Sequence, residues 1–197
     1  VEPSSTTRAL YATLSQLEVS PAVSDPLPVK VRHNLRHPLT SFIGREREIN
    51  AVKHLLDSAR LLTLSGAGGS GKTRLALQVA FDVLNNYTDG VWWVDLAPIA
   101  QASLVTPTVA TALGIHLIAG RTLIETLIDA LQSRRLLLIL DNCEHLIAEC
   151  ASLAHELLAV CPQLTIIATS REALGLQGER VWRVPPLRLA TSIDLND

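Results

Sequence analysis

The run Gly66-Ala67-Gly68-Gly69-Ser70-Gly71-Lys72-Thr73 sets glycines, a lysine and a hydroxyl in an order suited to holding a polyphosphate. Such an anion needs several backbone N–H donors pointing inward, and glycines let the chain curl that tightly without a Cβ clash. A helix beginning at Lys72 adds free amides and a macrodipole that favour the same anion. Lys72 then reaches the β- and γ-phosphates, and the Thr73 hydroxyl is a ligand for Mg²⁺. The candidate phosphate set runs from Gly66 through Arg74. The rival reading is a Gly-rich turn with an exposed lysine. The flanks speak against it, because apolar Leu61-Leu62-Thr63-Leu64 leads in and an amphipathic pattern leads out.

Two other polar positions close apolar runs. Leu136-Leu137-Leu138-Ile139-Leu140 ends in Asp141, a carboxylate placed to hold the hydration shell of a magnesium ion. An ordinary turn Asp beside Asn142 is the alternative. Ile166-Ile167-Ala168 ends in Thr169-Ser170-Arg171. If that strand lies beside the phosphate-loop strand, Arg171 approaches the γ-phosphate. Otherwise it is a surface arginine, and spacing alone does not choose.

The elements that must position these groups alternate. Glu46 to Ala59 carries Ile49, Val52, Leu55, Leu56 and Ala59 at helical spacing, and Lys72 to Leu84 repeats the pattern with Leu75, Val79 and Val83. Helical patterns follow at Ala102 to Leu113, Leu123 to Leu131 and Glu144 to Val160. The second opens on Thr122-Leu123-Ile124-Glu125, a capping-box signature. Strands are expected at Leu61 to Leu64, Val91 to Asp95, Leu136 to Leu140, Leu164 to Ala168 and Val181 to Val184. Strands separated by helices imply parallel crossovers in a helix-covered sheet.

Upstream, Thr7 to Leu17 reads as a short helix. Pro21, Pro26, Pro28 and Pro38 then mark a linker, with Arg32, His33, Arg36 and His37 as a solvated basic cluster. The chain contains no Met, its first residue included, which reads as a piece of a longer protein. The expected layout is therefore the tail of a helical domain over 1–20, a Pro-rich linker over 21–40, the nucleotide-binding domain over 41–187 and the start of a truncated lid over 188–197.

Composition sets limits on function. Apolar residues make up 48% of the 197 and charged residues 18%, enough for a packed core. A formal charge of −2 gives no electrostatic footprint for nucleic acid, so any DNA contact belongs to other parts of the protein. No apolar run reaches the roughly 20 residues needed to cross a membrane. An odd count of three cysteines fits a reducing cytoplasm. Cys143, Cys150 and Cys161 share one apolar stripe with Leu146, Ile147, Leu153, Ala154, Leu157 and Leu158, so they read as core and not as zinc ligands. Trp92 and Trp93 are adjacent on a strand and face opposite sides.

Together with Phe42-Ile43-Gly44-Arg45-Glu46, the three polar elements resemble the NB-ARC branch of the STAND ATPases. The runs 39–46, Asp141-Asn142-Cys143-Glu144-His145-Leu146, Ala168-Thr169-Ser170-Arg171-Glu172 and Val184-Pro185-Pro186-Leu187 are similar to the ATPase domain of SARP- and LuxR-type bacterial transcriptional regulators. Thr6 to Leu14 resembles the end of the BTAD domain that precedes it in SARP-type activators. The resemblance implies a three-layer α/β P-loop NTPase of the ASCE type, with a parallel five-stranded sheet in the order 5-1-4-3-2. It implies ATP or ADP with Mg²⁺ as ligand. It puts Arg171 at the γ-phosphate and the Ile43-Gly44-Arg45 turn against adenine and ribose. It further implies docking of flanking domains and self-association that depend on nucleotide.

One departure bears on catalysis. Many relatives carry a second acid after the Asp141-type strand as general base, and Asn142 stands there. An amide cannot take a proton at neutral pH. Glu144 is the nearest alternative carboxylate, unless it serves only the N-terminus of the next helix. The expectation is a regulatory switch with slow or absent hydrolysis. Its rivals are an active ATP-hydrolysing enzyme and a scaffold that binds no nucleotide.

Overall fold

Alternation within each strand builds the layers. The computed structural model describes residues 32–37 and 44–186. The expected helix from Thr7, Ile43 and the stretch 187–197 lie outside them. Strands β1 (Leu61–Ser65), β2 (Val91–Asp95), β3 (Leu136–Asp141), β4 (Leu164–Ser170) and β5 (Arg180–Arg183) form one sheet in the order β2-β3-β4-β1-β5. All four pairings are parallel, and the order is the expected one read from the other edge. Leu62, Leu64, Leu137, Ile139 and Ile167 point to one face, against α1 (Glu46–Leu56) and α2 (Lys72–Asp82). Leu61, Leu136, Leu138, Leu140 and Ile166 point to the other, against α3 (Val105–Leu113), α4 (Leu123–Leu131) and α5 (Ile147–Val160). Strands covered on both faces have no need of polar alternation, which is why β3 is apolar until Asp141. Trp92 and Trp93 pack into the two opposite cores, as their adjacency requires.

Helix ends depart from the periodicity where the backbone turns sharply. Helix α1 stops at Leu56, although Ala59 stays buried by bonding back to Leu55. Helix α2 stops at Asp82 and gives way to a 3-10 turn, Leu84–Asn86. Residues 102–104 likewise form a 3-10 turn before α3. The largest difference precedes α5. That helix begins at Ile147 and not at Glu144, because Asn142 adopts a left-handed conformation, φ 65°, and Cys143–His145 form a separate tight turn. Cys143, Cys150 and Cys161 are all buried free thiols, as the stripe indicates. Hydrogen bonding with Cys150, followed by burial, pushes the Cys143 thiol up, and burial raises Cys161. Both effects oppose the thiolate a metal would need.

Helix α4 opens with the capping box written in its sequence. Thr122 Oγ1 accepts from the Glu125 amide (3.3 Å), and the Thr122 amide donates to Glu125 Oε2 (2.7 Å). Thr122→Ala is therefore expected to cost about 1 kcal/mol. For a domain of this size that lowers Tm by roughly 2–4 °C. An unchanged melting point would show that the buried face of α4 holds it unaided.

Part of the expected linker is structured. Residues 32–37 run along the outer edge of β2, where Val91 N donates to Arg32 O (3.1 Å) and His33 bridges Val91 in parallel. Asn34 closes two bonds with Trp93, donating from Nδ2 to its carbonyl (2.8 Å) and accepting from its amide (2.6 Å). Leu35, the one apolar side chain of this segment, is buried. The rings of His33 and His37 lie on Phe81. An edge strand offers unpaired donors and acceptors, and this segment takes them up. Among the described residues, no helix is long and apolar enough to cross a membrane.

Candidate functional site

The Gly-rich run links the end of β1 to the start of α2, on the side of the sheet where all the strands end. A Cβ at Gly66 would press on Val184 O at 3.0 Å, and Gly71, the residue that caps α2, has φ 87°. Within the loop the Ser70 amide donates to Ala67 O (3.2 Å). Among the described residues, the amides of Gly68, Gly69 and Gly71 donate to no backbone carbonyl.

Lys72 is buried, and its ammonium donates to Gly66 O (2.9 Å) and Ala67 O (3.1 Å). The cation is thus folded over its own loop. Thr73 Oγ1 donates to Asp141 Oδ1 (2.9 Å). These side chains come from the N-terminus of α2 and the end of β3, on the two sides of β4. The same Asp141 oxygen accepts from Thr169 Oγ1, which in turn accepts from the Asn142 amide (3.0 Å). Asp141 is only 3% exposed, and burial raises its carboxyl above the ordinary range. The hydroxyls of Thr169 and Thr73 oppose that shift, while Asp95 and Glu144 add to it. A cation beside Asp141 would relieve the cost of its charge.

The other predicted residues fall around this centre. Strand β4 lies between β1 and β3, so Arg171 leaves the sheet next to the loop, its guanidinium 3.8 Å from where a Cβ of Gly68 would be. It pairs with Glu144, Nε to Oε1 at 3.4 Å. Glu144 is therefore not serving the N-terminus of α5; it sits in the β3–α5 turn and faces the arginine. Arg45 is buried, donates through Nη2 to Pro185 O (3.0 Å), and brings Nη1 to 3.9 Å from a Cβ built on Gly71. Gly44 is exposed just before it. Arg74 is exposed on the first turn of α2.

From sequence, Thr169 and Asp95 enter only as strand ends, with no role given to either at the site. Thr169 was signalled by a polar residue in a strand buried along its whole length. Asp95 is the register partner of Asp141 on the neighbouring strand. Both line up at strand ends, where ligands of open α/β sheets bind.

Fit to a nucleotide can be judged from polar atoms with nothing to bond. Among the described residues, five buried side-chain N or O atoms lack a partner: Arg45 Nη1, Thr63 Oγ1, Ser70 Oγ, Glu144 Oε2 and Trp182 Nε1. Three of them belong to the loop or its neighbours: Ser70 lies within it, Arg45 reaches Gly71, and Glu144 pairs with the Arg171 that reaches Gly68. Buried polar atoms are ordinarily satisfied, so such a gathering marks a place for a polar ligand. Thr73 and Asp141 also border a cavity of about 490 Å³. The donor set, one hydroxyl and one carboxylate, suits a hard cation such as Mg²⁺ that keeps much of its water.

A parallel sheet of this order, with the loop between β1 and its helix and an acid at the end of β3, defines a P-loop NTPase. The chain belongs to the NB-ARC family, whose domain profile matches residues 45–173. It is 46% identical over 164 residues to an uncharacterised protein of Mycobacterium tuberculosis, covering 83% of this chain and 42% of that one. A second protein of that organism, named provisionally as an HTH-type transcriptional regulator, is 48% identical over 138 residues, covering 70% of this chain and 15% of that one. The chain thus spans less than half the length of either relative. Among solved structures, a STAND protein with a tetratricopeptide repeat sensor from Pyrococcus horikoshii aligns with TM-score 0.53 at 15% identity, covering 79% of this chain and 25% of that one. Cdc6p from Pyrobaculum aerophilum aligns with TM-score 0.55 at 14% identity, covering 74% and 46%. At such identities the likeness concerns the fold alone.

Proposed function

We propose that this domain binds ATP and ADP with Mg²⁺ and acts as the nucleotide switch of a cytoplasmic bacterial transcription regulator of the SARP/LuxR-like kind. The convergence of Lys72, Thr73 and Asp141 on a loop that holds or adjoins unpartnered buried polar atoms carries this reading. Loop amides and Lys72 hold the phosphates, and Thr73 and Asp141 hold the metal. The metal, when bound, supplies charge neutralisation between phosphate oxygens. Arg45, with its free Nη1 beside Gly71, adds a donor at the nucleotide. Arg171 reads the γ-phosphate by exchanging Glu144 for it, a substitution that its own exposed side chain and the 3.4 Å separation of the pair permit. ATP and ADP then differ in what they hold together, and that difference biases the flanking domains and self-association. DNA is contacted through other parts of the protein.

Asn142 leaves no base directly after Asp141, so turnover is slow. Glu144, with one oxygen buried and unpartnered, is the group on which a hydrolytic enzyme would depend instead. Calorimetry and single-turnover hydrolysis decide among the readings. The switch is expected to bind ADP and ATP, with Arg171→Ala weakening ATP about ten-fold and ADP little, as loss of one charged hydrogen bond implies. A hydrolysis rate of about 1 s⁻¹ or more would favour an enzyme. Failure to bind either nucleotide would leave a scaffold.

A further inference from the structure

The cavity on the metal side of the site has a wall that lies outside the family match. Thr73, Asp95 and Asp141 border it from within, and Asn34 and Arg36 border it from the segment docked on β2. That segment is anchored by independent contacts. Asn34 holds both backbone groups of Trp93, Arg32 O takes the Val91 amide, and Leu35 is buried against the α2 side of the sheet. Gly90, at φ 108°, is part of the fit, since a Cβ there would overlap Arg32 O. The bonds to Val91 and Trp93 fall on β2, whose last residue, Asp95, pairs in register with Asp141. One short strand therefore joins the anchor to the metal side of the pocket.

We infer that docking of residues 32–37 on the β2 edge and binding of magnesium nucleotide are thermodynamically coupled, so that this segment carries the state of the pocket to whatever precedes it in the chain. The inference rests on the nucleotide reading above and assigns its regulation. The docked segment supplies one border of the cavity through Asn34 and Arg36, so undocking would remove two polar groups from its lining. Arg36 adds a positive charge to the same lining as Asp95 and Asp141. Coupling is reciprocal: whatever factor docking adds to nucleotide affinity, nucleotide adds to docking.

The whole chain, with and without saturating Mg²⁺·ADP, should be followed by hydrogen exchange at the Val91 and Trp93 amides. These donate only to the docked segment in this arrangement, to Arg32 O and Asn34 Oδ1. Nucleotide should slow their exchange about five-fold or more, the lower end of typical coupling. Asn34→Ala removes the Trp93 bonds and Leu35→Ala the apolar anchor, so both should weaken Mg²⁺·ADP binding by a similar factor while melting cooperatively. Two variants acting through different contacts separate undocking from a local defect. If wild type binds Mg²⁺·ADP but both variants bind it equally well or better, the coupling is refuted and the switch reading stands. If wild type binds no nucleotide, both fall together.

Discussion

Lys72→Ala is expected to reduce affinity for Mg²⁺·ADP by about 100-fold or more, the largest loss any single substitution at this site should bring. The side chain starts from the first residue of α2 and is buried, so its charge acts in a medium that screens poorly. Its donors already point into the loop, toward Gly66 O and Ala67 O. Little reorganisation is needed for the ammonium to turn from those carbonyls to phosphate. Each charge-assisted hydrogen bond contributes about 1.5–3 kcal/mol, and two such bonds exceed the roughly 2.8 kcal/mol that a hundred-fold change requires. Removing the lysine also leaves two carbonyls without their donor, so a modest loss of stability accompanies the binding defect. Circular dichroism and a cooperative melt would show that the variant is folded, and calorimetry would then give the affinity. Lys72→Arg should not rescue, because a planar guanidinium cannot occupy the place of a compact ammonium inside the loop. Affinity equal to that of wild type in Lys72→Ala would mean that phosphate binds elsewhere.

The loop and the helix-covered parallel sheet were legible from the residues themselves, whereas the strand order came only from the resemblance to the NB-ARC family. Glycine, lysine and threonine at fixed spacing carry their own chemistry, and uninterrupted apolar strands announce a sheet covered on both faces. Glu144 was misplaced onto a helix because periodicity is blind to a single left-handed residue. Asn142 meets that backbone requirement, which Asn tolerates better than most side chains. The amide that deprives the site of a base is thus also the residue that turns the chain out of β3. Docking of residues 32–37 was illegible for a different reason. It depends on side-chain bonds from Asn34 to a strand about sixty residues away and on one leucine, with neither period nor motif to mark it. Prolines nearby made linker the natural reading, and local composition holds no information about an edge strand elsewhere.

Asp141→Asn should make the metal-free protein more stable and the metal-loaded protein less so. In wild type the carboxylate is 3% exposed, with two hydroxyl donors on one oxygen and only the side-chain Nδ2 of Asn142, at 3.4 Å, near the other. That is little compensation for a buried negative charge with Asp95 and Glu144 close by. Asparagine keeps an oxygen for Thr73 and Thr169 and removes the charge. A gain of about 1 kcal/mol is reasonable for relieving such a group, or roughly 2–4 °C in Tm for a domain of this size. The pH dependence has a definite sign. Burial raises the carboxyl in the folded state, so folding takes up protons, and the group's contribution is full below its unfolded value and lost as pH rises through the folded one. The variant's advantage should therefore be present at neutral pH and vanish in acid. Adding Mg²⁺·ADP reverses the order. A ligand at 100 times its Kd stabilises by about 2.7 kcal/mol, and wild type should gain this while the variant, short of a metal ligand, gains much less. Thermal melts in EDTA and in Mg²⁺·ADP should then cross, Asp141→Asn melting higher in the first and lower in the second. Parallel melts would place Asp141 in the framework of the fold and deny it a part in holding the metal.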